Sequence, residues 1–207
     1  MPSFRTISLY LVAALASISF TSAAPTPCQT CDQHSASGNI VSVPVLIGNV
    51  EAQITPLLAQ IHALTEVKAD VVAPIVADIT AVIDGATAKV QALVDAKVDL
   101  NVALAADVSG GAAISVKACA DLLVKLVLSI AVCIQAALKI ALQIEVAACI
   151  KIFASLCISV SAFVQVCTQL VVGLSASIGA QIAAFVSLCV QLGVGAAISF
   201  LGLNISL

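Results

Sequence analysis

The residues best suited to chemistry lie close together near the start of the chain. Cys28 and Cys31 are separated by two residues and are followed by Asp32 and His34, a spacing typical of a zinc ligand pair or a redox-active dithiol. A structural zinc site needs four ligands, however, and no second Cys/His pair follows at finger spacing. A thioredoxin-like dithiol precedes a helix in a βαβ unit, and the sequence predicts no such unit. We therefore expect a disulfide here, and no metal or cofactor.

The other six cysteines all lie in the C-terminal half of the chain, at Cys119, Cys133, Cys149, Cys157, Cys167 and Cys189. An even number of cysteines in an exported chain favours disulfides, and we expect all eight to be disulfide cysteines. Eight cysteines allow many pairings, so the connectivity stays open. A free buried cysteine that acts as a small hydrophobic side chain is the alternative for some of the C-terminal six.

No other pattern predicts catalysis. His62 falls on the outward side of a predicted helix, and Asp95 and Asp99 are explained as a solvated helix face rather than as an acid/base pair. Gly110-Gly111 lacks the Lys and Ser/Thr of a phosphate-binding loop, and no G-x-S-x-G nucleophile motif occurs. We predict a protein that is not an enzyme and has no catalytic or cofactor-binding residue. Asn204 begins a formal N-glycosylation sequon.

The composition is far more apolar than that of an ordinary soluble domain. Of the 207 residues 61% are hydrophobic and 9% are charged, whereas typical domains are about half apolar and a quarter charged. A net charge of −3 with eight Lys and Arg excludes a charge-driven nucleic-acid binder, and the hydrophobicity excludes a disordered chain.

The first 23 residues are predicted to be a signal peptide. Arg5 supplies a positive charge, residues 7–20 are an apolar stretch, and Thr21 and Ala23 supply the small residues for cleavage after Ala23. A membrane anchor is the alternative, but the apolar stretch is short for a span. Residues 24–39 are predicted to be a flexible leader, because they are rich in Pro, Ser and Thr and show no periodicity.

Residues 40–111 are predicted to be an amphipathic helical region. Its apolar residues recur three and four apart, as a helix requires, at Ile47, Val50, Ile54, Leu57, Ile61 and Leu64. Thr55 and Pro56 predict a helix start, Pro74 a second start or break, and Asp84-Gly85 a stop. Residues 56–64 align with residues 74–82 at an offset of 18, which is five helical turns, so the two segments are predicted to pack alike.

Residues 112–207 are predicted to be a hydrophobic helical region, an apolar bundle or hairpin. Its polar residues mostly recur four apart and form one narrow stripe, at Lys117, Asp121, Lys125, Ser129, Gln135, Lys139, Gln143, Lys151, Ser155 and Ser159. Residues 152–178 and 180–203 are each long enough to span a membrane. Glutamines interrupt both segments, however, and neither an aromatic belt nor a flanking Lys/Arg cluster accompanies them.

This layout, together with the Pro-led repeat between Ile54 and Val82, resembles a group of secreted non-hydrophobin proteins from the cell wall and aerial hyphae of mushroom-forming fungi. A second resemblance is to fungal wall proteins that bind hydrophobic surfaces. Both resemblances imply a helical protein that attaches to hydrophobic surfaces. Hydrophobins also have eight cysteines, but theirs include adjacent Cys-Cys pairs, which this sequence lacks.

We therefore expect an all-α, disulfide-containing protein, secreted to the cell wall or matrix, that adsorbs to hydrophobic interfaces or associates with itself. The expected partners are a hydrophobic surface, a lipid, the wall matrix or another copy of the chain, and not a nucleic acid. One alternative is an integral membrane protein with C-terminal transmembrane helices. The other is a soluble helical lipid carrier.

Overall fold

The structure, a computed structural model, describes residues 41–106, 112–179 and 181–193. Within these ranges the chain is helical and contains no extended strand, which confirms the predicted all-α class. The helices are α1 (Val43–His62), α2 (Ala69–Asp95), α3 (Leu100–Ala103), α4 (Val116–Ile140), α5 (Val146–Leu170), α6 (Leu174–Ile178) and α7 (Ala183–Gln191). The predicted signal peptide and leader lie outside the described residues, as do Cys28, Cys31, His34, Gly110-Gly111 and Asn204.

The four long helices form two antiparallel hairpins. The first hairpin is α1 and α2, joined by a turn at residues 63–68, and the second hairpin is α4 and α5, joined by a turn at residues 141–145. The two turns meet at one end, here called the turn end, where Val67 pairs with Ala141 in an isolated parallel bridge. The link from α2 to α4 runs along the opposite end, here called the crossover end. There Ala105 and Ala113 pair in an isolated antiparallel bridge.

The second hairpin lies against the first with parallel helices side by side. α1 contacts α4, and α2 makes its most extensive contact with α5. The register is visible in two contacts between α1 and α4. Lys125 reaches Glu51, and about two turns further along both helices the Cys133 thiol donates to the Leu58 carbonyl at 3.8 Å. The result is a four-helix bundle with a crossover connection, against which α6 and α7 pack mainly through α4.

The apolar spacing predicted for the first region does face the core. Ile47, Val50, Ile54 and Ile61 are buried, and Leu57 and Leu64 pack against the same core while partly exposed. The two aligned segments also pack alike, as predicted. Leu58 and Val76 are buried at matching positions, and so are Ile61 and Ile79.

Pro56 does not start a helix, contrary to the prediction, because α1 begins at Val43 and runs through it. The Thr55 hydroxyl accordingly makes no N-terminal cap and donates to the Glu51 carbonyl at 2.6 Å, one turn back. A proline inside a helix has no N–H for the carbonyl four residues earlier, here that of Ala52. Pro56 and Ala52 are both exposed, so water can solvate that carbonyl. The packing of α1 therefore outweighs the preference of Thr55-Pro56 for a helix start.

Pro74 and Asp84-Gly85 are also inside a helix, so the predicted start and stop are wrong at both places. α2 continues from Ala69 to Asp95. Pro74 is exposed, as is Asp70, whose carbonyl loses its helical donor. An isolated glycine such as Gly85 costs a helix about 1 kcal/mol relative to alanine, which the buried stripe of α2 outweighs.

The predicted span over residues 152–178 is interrupted. α5 ends at Leu170, and Gly173 adopts a left-handed conformation (φ 88°), which glycine tolerates without a Cβ clash, before the short helix α6 begins. In the second predicted span, α7 extends for only nine residues within the part of the chain that the structure describes. The longest apolar helices are therefore α2, α4 and α5, and their boundaries differ from the predicted ones.

We expect the core to determine stability, and two isoleucine-to-alanine changes test this. Ile130 is fully buried in α4 and Ile144 is 88% exposed in the turn of the second hairpin. Ile130→Ala should lower the free energy of unfolding by about 2–5 kcal/mol, because it removes buried methylenes and leaves a cavity. Ile144→Ala should change it by less than about 0.5 kcal/mol. Urea unfolding followed by circular dichroism measures both, and equal effects would contradict the described packing.

Candidate interfacial surface

The polar stripe predicted for the second half lies on the outside of the bundle. Its members on α4, the following turn and α5 are exposed, except Ser159, which is half-buried. Part of the remaining circumference faces neighbouring helices, but Val132 on α4 and Ile158 on α5 are 58% and 49% exposed. In water the second hairpin therefore exposes its polar stripe and buries only part of its apolar surface.

The buried interior contains almost no polar side chains. Among the described residues only Ser42 and Ser161 are both polar and buried. Each hydroxyl donates to a backbone carbonyl, Ser42 to that of Ala105 at 2.6 Å and Ser161 to that of Cys157 at 2.8 Å. The rest of the core is aliphatic side chains, thiols and the three buried phenylalanines Phe153, Phe163 and Phe185. Such a core is held by non-directional burial rather than by specific hydrogen bonds.

The polar contacts between the hairpins are few and lie at the surface or at the turn end. The Lys125 ammonium and the Glu51 carboxylate are 2.7 Å apart, but the lysine side chain is 69% exposed, so this ion pair contributes only about 0–1 kcal/mol. At the turn end the Ala69 N–H donates to the Glu145 carboxylate at 3.2 Å, which places a negative charge at the N-terminus of α2. Glu51 and Glu145 were not singled out from the sequence, because spacing alone does not bring distant residues together.

Ten large aliphatic side chains are exposed among the described residues: seven lie at the two ends of the bundle, and the others are Val132 on α4, Ile158 on α5 and Val190 on α7. Ile140, Leu142 and Ile144 lie in or beside the turn of the second hairpin, and Val71 lies in the first turn of α2, whose start adjoins that turn. At the crossover end, Leu100, Val102 and Val172 are exposed. Both ends of the bundle therefore present aliphatic side chains to solvent.

All six described cysteines are buried, and the structure carries them as thiols. Burial raises the pKa of Cys119 and of Cys133 to about 11, from an ordinary value of 9.0. Burial also raises the pKa of Cys149, with a smaller contribution from the Glu145 charge. These thiols are shielded from reagents, which is the opposite of the exposed, low-pKa environment of a catalytic cysteine.

The described residues contain no group of three or more His, Cys, Asp or Glu side chains that could hold a metal ion. His62 is exposed at the end of α1, on the outward side that the sequence predicted. Two clefts, of about 310 and 450 Å³, lie on the outside of the bundle. The first cleft includes Asn49, Gln53 and Lys89, and the second includes Asp84 and Ser155, so neither encloses an apolar chain as a lipid carrier would.

Three helices are long and apolar enough to cross a membrane: α2, α4 and α5. This property follows from length and composition, and in the bundle half or less of each apolar window is buried. Of these, α2 and α4 were not among the spans predicted from the sequence, which carries several charged residues in both helices. Comparison of the chain with protein-family models, with curated proteins and with solved structures finds no match.

The raised thiol pKa values predict slow alkylation of the folded, reduced protein. For Cys133, a pKa of about 11 instead of 9.0 lowers the thiolate fraction at pH 8 by about a hundredfold. We expect iodoacetamide to label it at least that much more slowly in the folded protein than in urea. Because the folded pKa is the higher one, the associated stability is fully present below pH 9 and is lost as the pH rises towards 11. Peptide mass spectrometry measures the labelling rate of this cysteine in each state. Equal rates in the folded and urea-unfolded protein would contradict the burial of this thiol.

Proposed function

We propose that this chain is a secreted, surface-active protein of the cell wall or matrix that adsorbs to hydrophobic interfaces. In water its two hairpins cover each other. At an interface they separate, and their apolar faces turn to the hydrophobic phase or to another copy of the chain. The resemblance to fungal wall proteins that attach to hydrophobic surfaces supports the same function.

The observation that carries this proposal is the interior, which lacks polar side chains apart from Ser42 and Ser161 within the described ranges. Burial of apolar area contributes about 25 cal/mol per Å² whether the covering surface is protein or oil. Helical backbone groups stay hydrogen-bonded within each helix, so transfer of a helix face to the hydrophobic phase breaks no hydrogen bond within a helix. The hairpins can therefore exchange one apolar partner for another at small cost, whereas separation in water alone is unfavourable.

The chain connectivity favours separation at the turn end. The crossover segment joins α2 to α4 covalently at the opposite end, where the Ser42 hydroxyl also donates a hydrogen bond to the Ala105 carbonyl. At the turn end only non-covalent contacts join the hairpins, including the bond at 3.4 Å from the Val67 N–H to the Ile140 carbonyl. The exposed aliphatic residues Leu142 and Ile144 lie at this same end. We infer that an interface first meets the turn end and that the crossover acts as the hinge.

Membrane integration is the second candidate, because three helices have the required length and hydropathy. Lys125 weighs against it. This residue lies near the middle of α4 with its side chain 69% exposed. In a spanning α4 it would sit near the bilayer centre, where a lysine costs about 2.5–3.5 kcal/mol or more. Asp84, near the middle of α2 and exposed, raises the same difficulty for that helix.

A disulfide engineered across the turn end tests the opening directly. Val67→Cys together with Ala141→Cys replaces two residues that already pair across the hairpins. The oxidised double variant should lower the rate of surface-pressure increase at an air–water interface by at least about tenfold, because the hairpins can no longer separate. Reduction should restore the rate to that of the similarly reduced unmodified protein.

The matched control is Ala105→Cys together with Ala113→Cys, a pair bridged within the crossover segment. This disulfide leaves the turn end free and should leave the adsorption rate unchanged. Peptide mass spectrometry verifies that each engineered bond has formed. Normal adsorption of the oxidised Val67/Ala141 variant would contradict opening at the turn end.

A further inference from the structure

Two pairs of buried cysteines are brought together within the second half of the chain. Cys119 on α4 and Cys167 on α5 are both fully buried. Cys119 lies as many residues before the end of α4 as Cys167 lies after the start of α5. In an antiparallel hairpin with a short turn, such positions lie at the same height on neighbouring helices. Cys119 is in fact close enough for its charge to raise the pKa of Cys167, in addition to the effect of burial.

The second pair joins α5 to α7, which packs mainly against α4. Cys157 and Cys189 are both 0% exposed, and Cys189 belongs to the buried face of α7 together with Phe185, Val186 and Leu188. A side-chain hydrogen bond with the Cys157 thiol is the main cause of the raised pKa of Cys189, followed by burial. The two thiols are therefore direct neighbours in the core. The Cys133 thiol differs, since it donates to the Leu58 carbonyl on α1.

We propose that when the chain matures in an oxidising compartment, Cys119 bonds to Cys167 and Cys157 bonds to Cys189. The proposal rests on the export proposed above only for the presence of that compartment. Both bonds lie within the second half, and neither joins it to the first hairpin. They fasten α4, α5 and α7 into one unit while leaving the two hairpins free to separate at an interface.

The oxidation requires a disulfide donor of the glutathione or thiol-oxidoreductase class. The thiolate of one cysteine attacks the donor disulfide, forms a mixed disulfide and releases one donor thiol. The thiolate of the second cysteine then attacks the mixed disulfide, forms the Cys–Cys bond and releases the other donor thiol. Each cysteine loses one hydrogen, and the donor gains both with their electrons. Because burial suppresses thiolate formation, we expect these steps to occur during folding, before the core closes.

Refolding the reduced full chain in a glutathione redox buffer tests the pairing. The protein is then denatured in acid, alkylated with N-ethylmaleimide and digested without reduction for mass spectrometry. We expect peptides that link Cys119 to Cys167 and Cys157 to Cys189, and alkylated Cys133. Cys157→Ala should leave Cys189 alkylated and the first bond intact, whereas Cys133→Ala should leave both bonds intact. The unsubstituted chain decides the matter if a variant does not fold.

Different outcomes separate the pairing from the export. Links between other partners, or alkylation of all four cysteines after refolding, would overturn the pairing. If both bonds form in the glutathione buffer but the protein from its native producer is fully reduced, the pairing holds and the proposed export fails. If both bonds are present in the protein from its native producer, the pairing and the oxidising compartment are both supported.

Discussion

Every part of this bundle depends on covering helix faces that are apolar over most of their circumference. α4 and α5 each have a single wet line of polar residues, so neither helix can be stable alone in water. Pairing them in a hairpin covers only part of that surface, and the first hairpin covers much of the rest. The same requirement places α6 and α7 against α4, where they bury Ile178 and Phe185. The fold is the arrangement in which the apolar faces of the helices pack against one another.

This constraint also explains why local signals are overridden. Pro56 and Pro74 each remove one helical hydrogen bond, a cost of about 3 kcal/mol or more in a fully formed helix interior. Both lie on the exposed side, where water can solvate the freed carbonyl, so the buried side remains continuous. An interruption on the inner face would have exposed core side chains. The proline positions are therefore compatible with long helices only because of how those helices pack.

Periodicity was sufficient to predict the helical class, the buried stripe of α1 and the outward stripe that contains Lys125. It was not sufficient for the helix boundaries. The turn after Ile140 contains neither glycine nor proline, so the sequence offers no conventional signal there. The sequence also did not predict which helices pack against each other, since valine, leucine, isoleucine and alanine pack against one another with little preference. For the cysteines, their even number in a chain predicted to be exported indicated disulfides without pairs, and the proposed pairs depend on how the helices pack.

We propose that these apolar helices cover one another and adsorb to hydrophobic surfaces from the outside, without crossing a bilayer. Fractionating the native producer into medium, wall and membrane, with alkaline carbonate washing of the membranes, tests it most directly. We expect protein in the medium or wall, and we expect carbonate to release any that sediments with membranes. Protein that remains in washed membranes and is released only by detergent would contradict it, and α2, α4 and α5 would then be transmembrane helices.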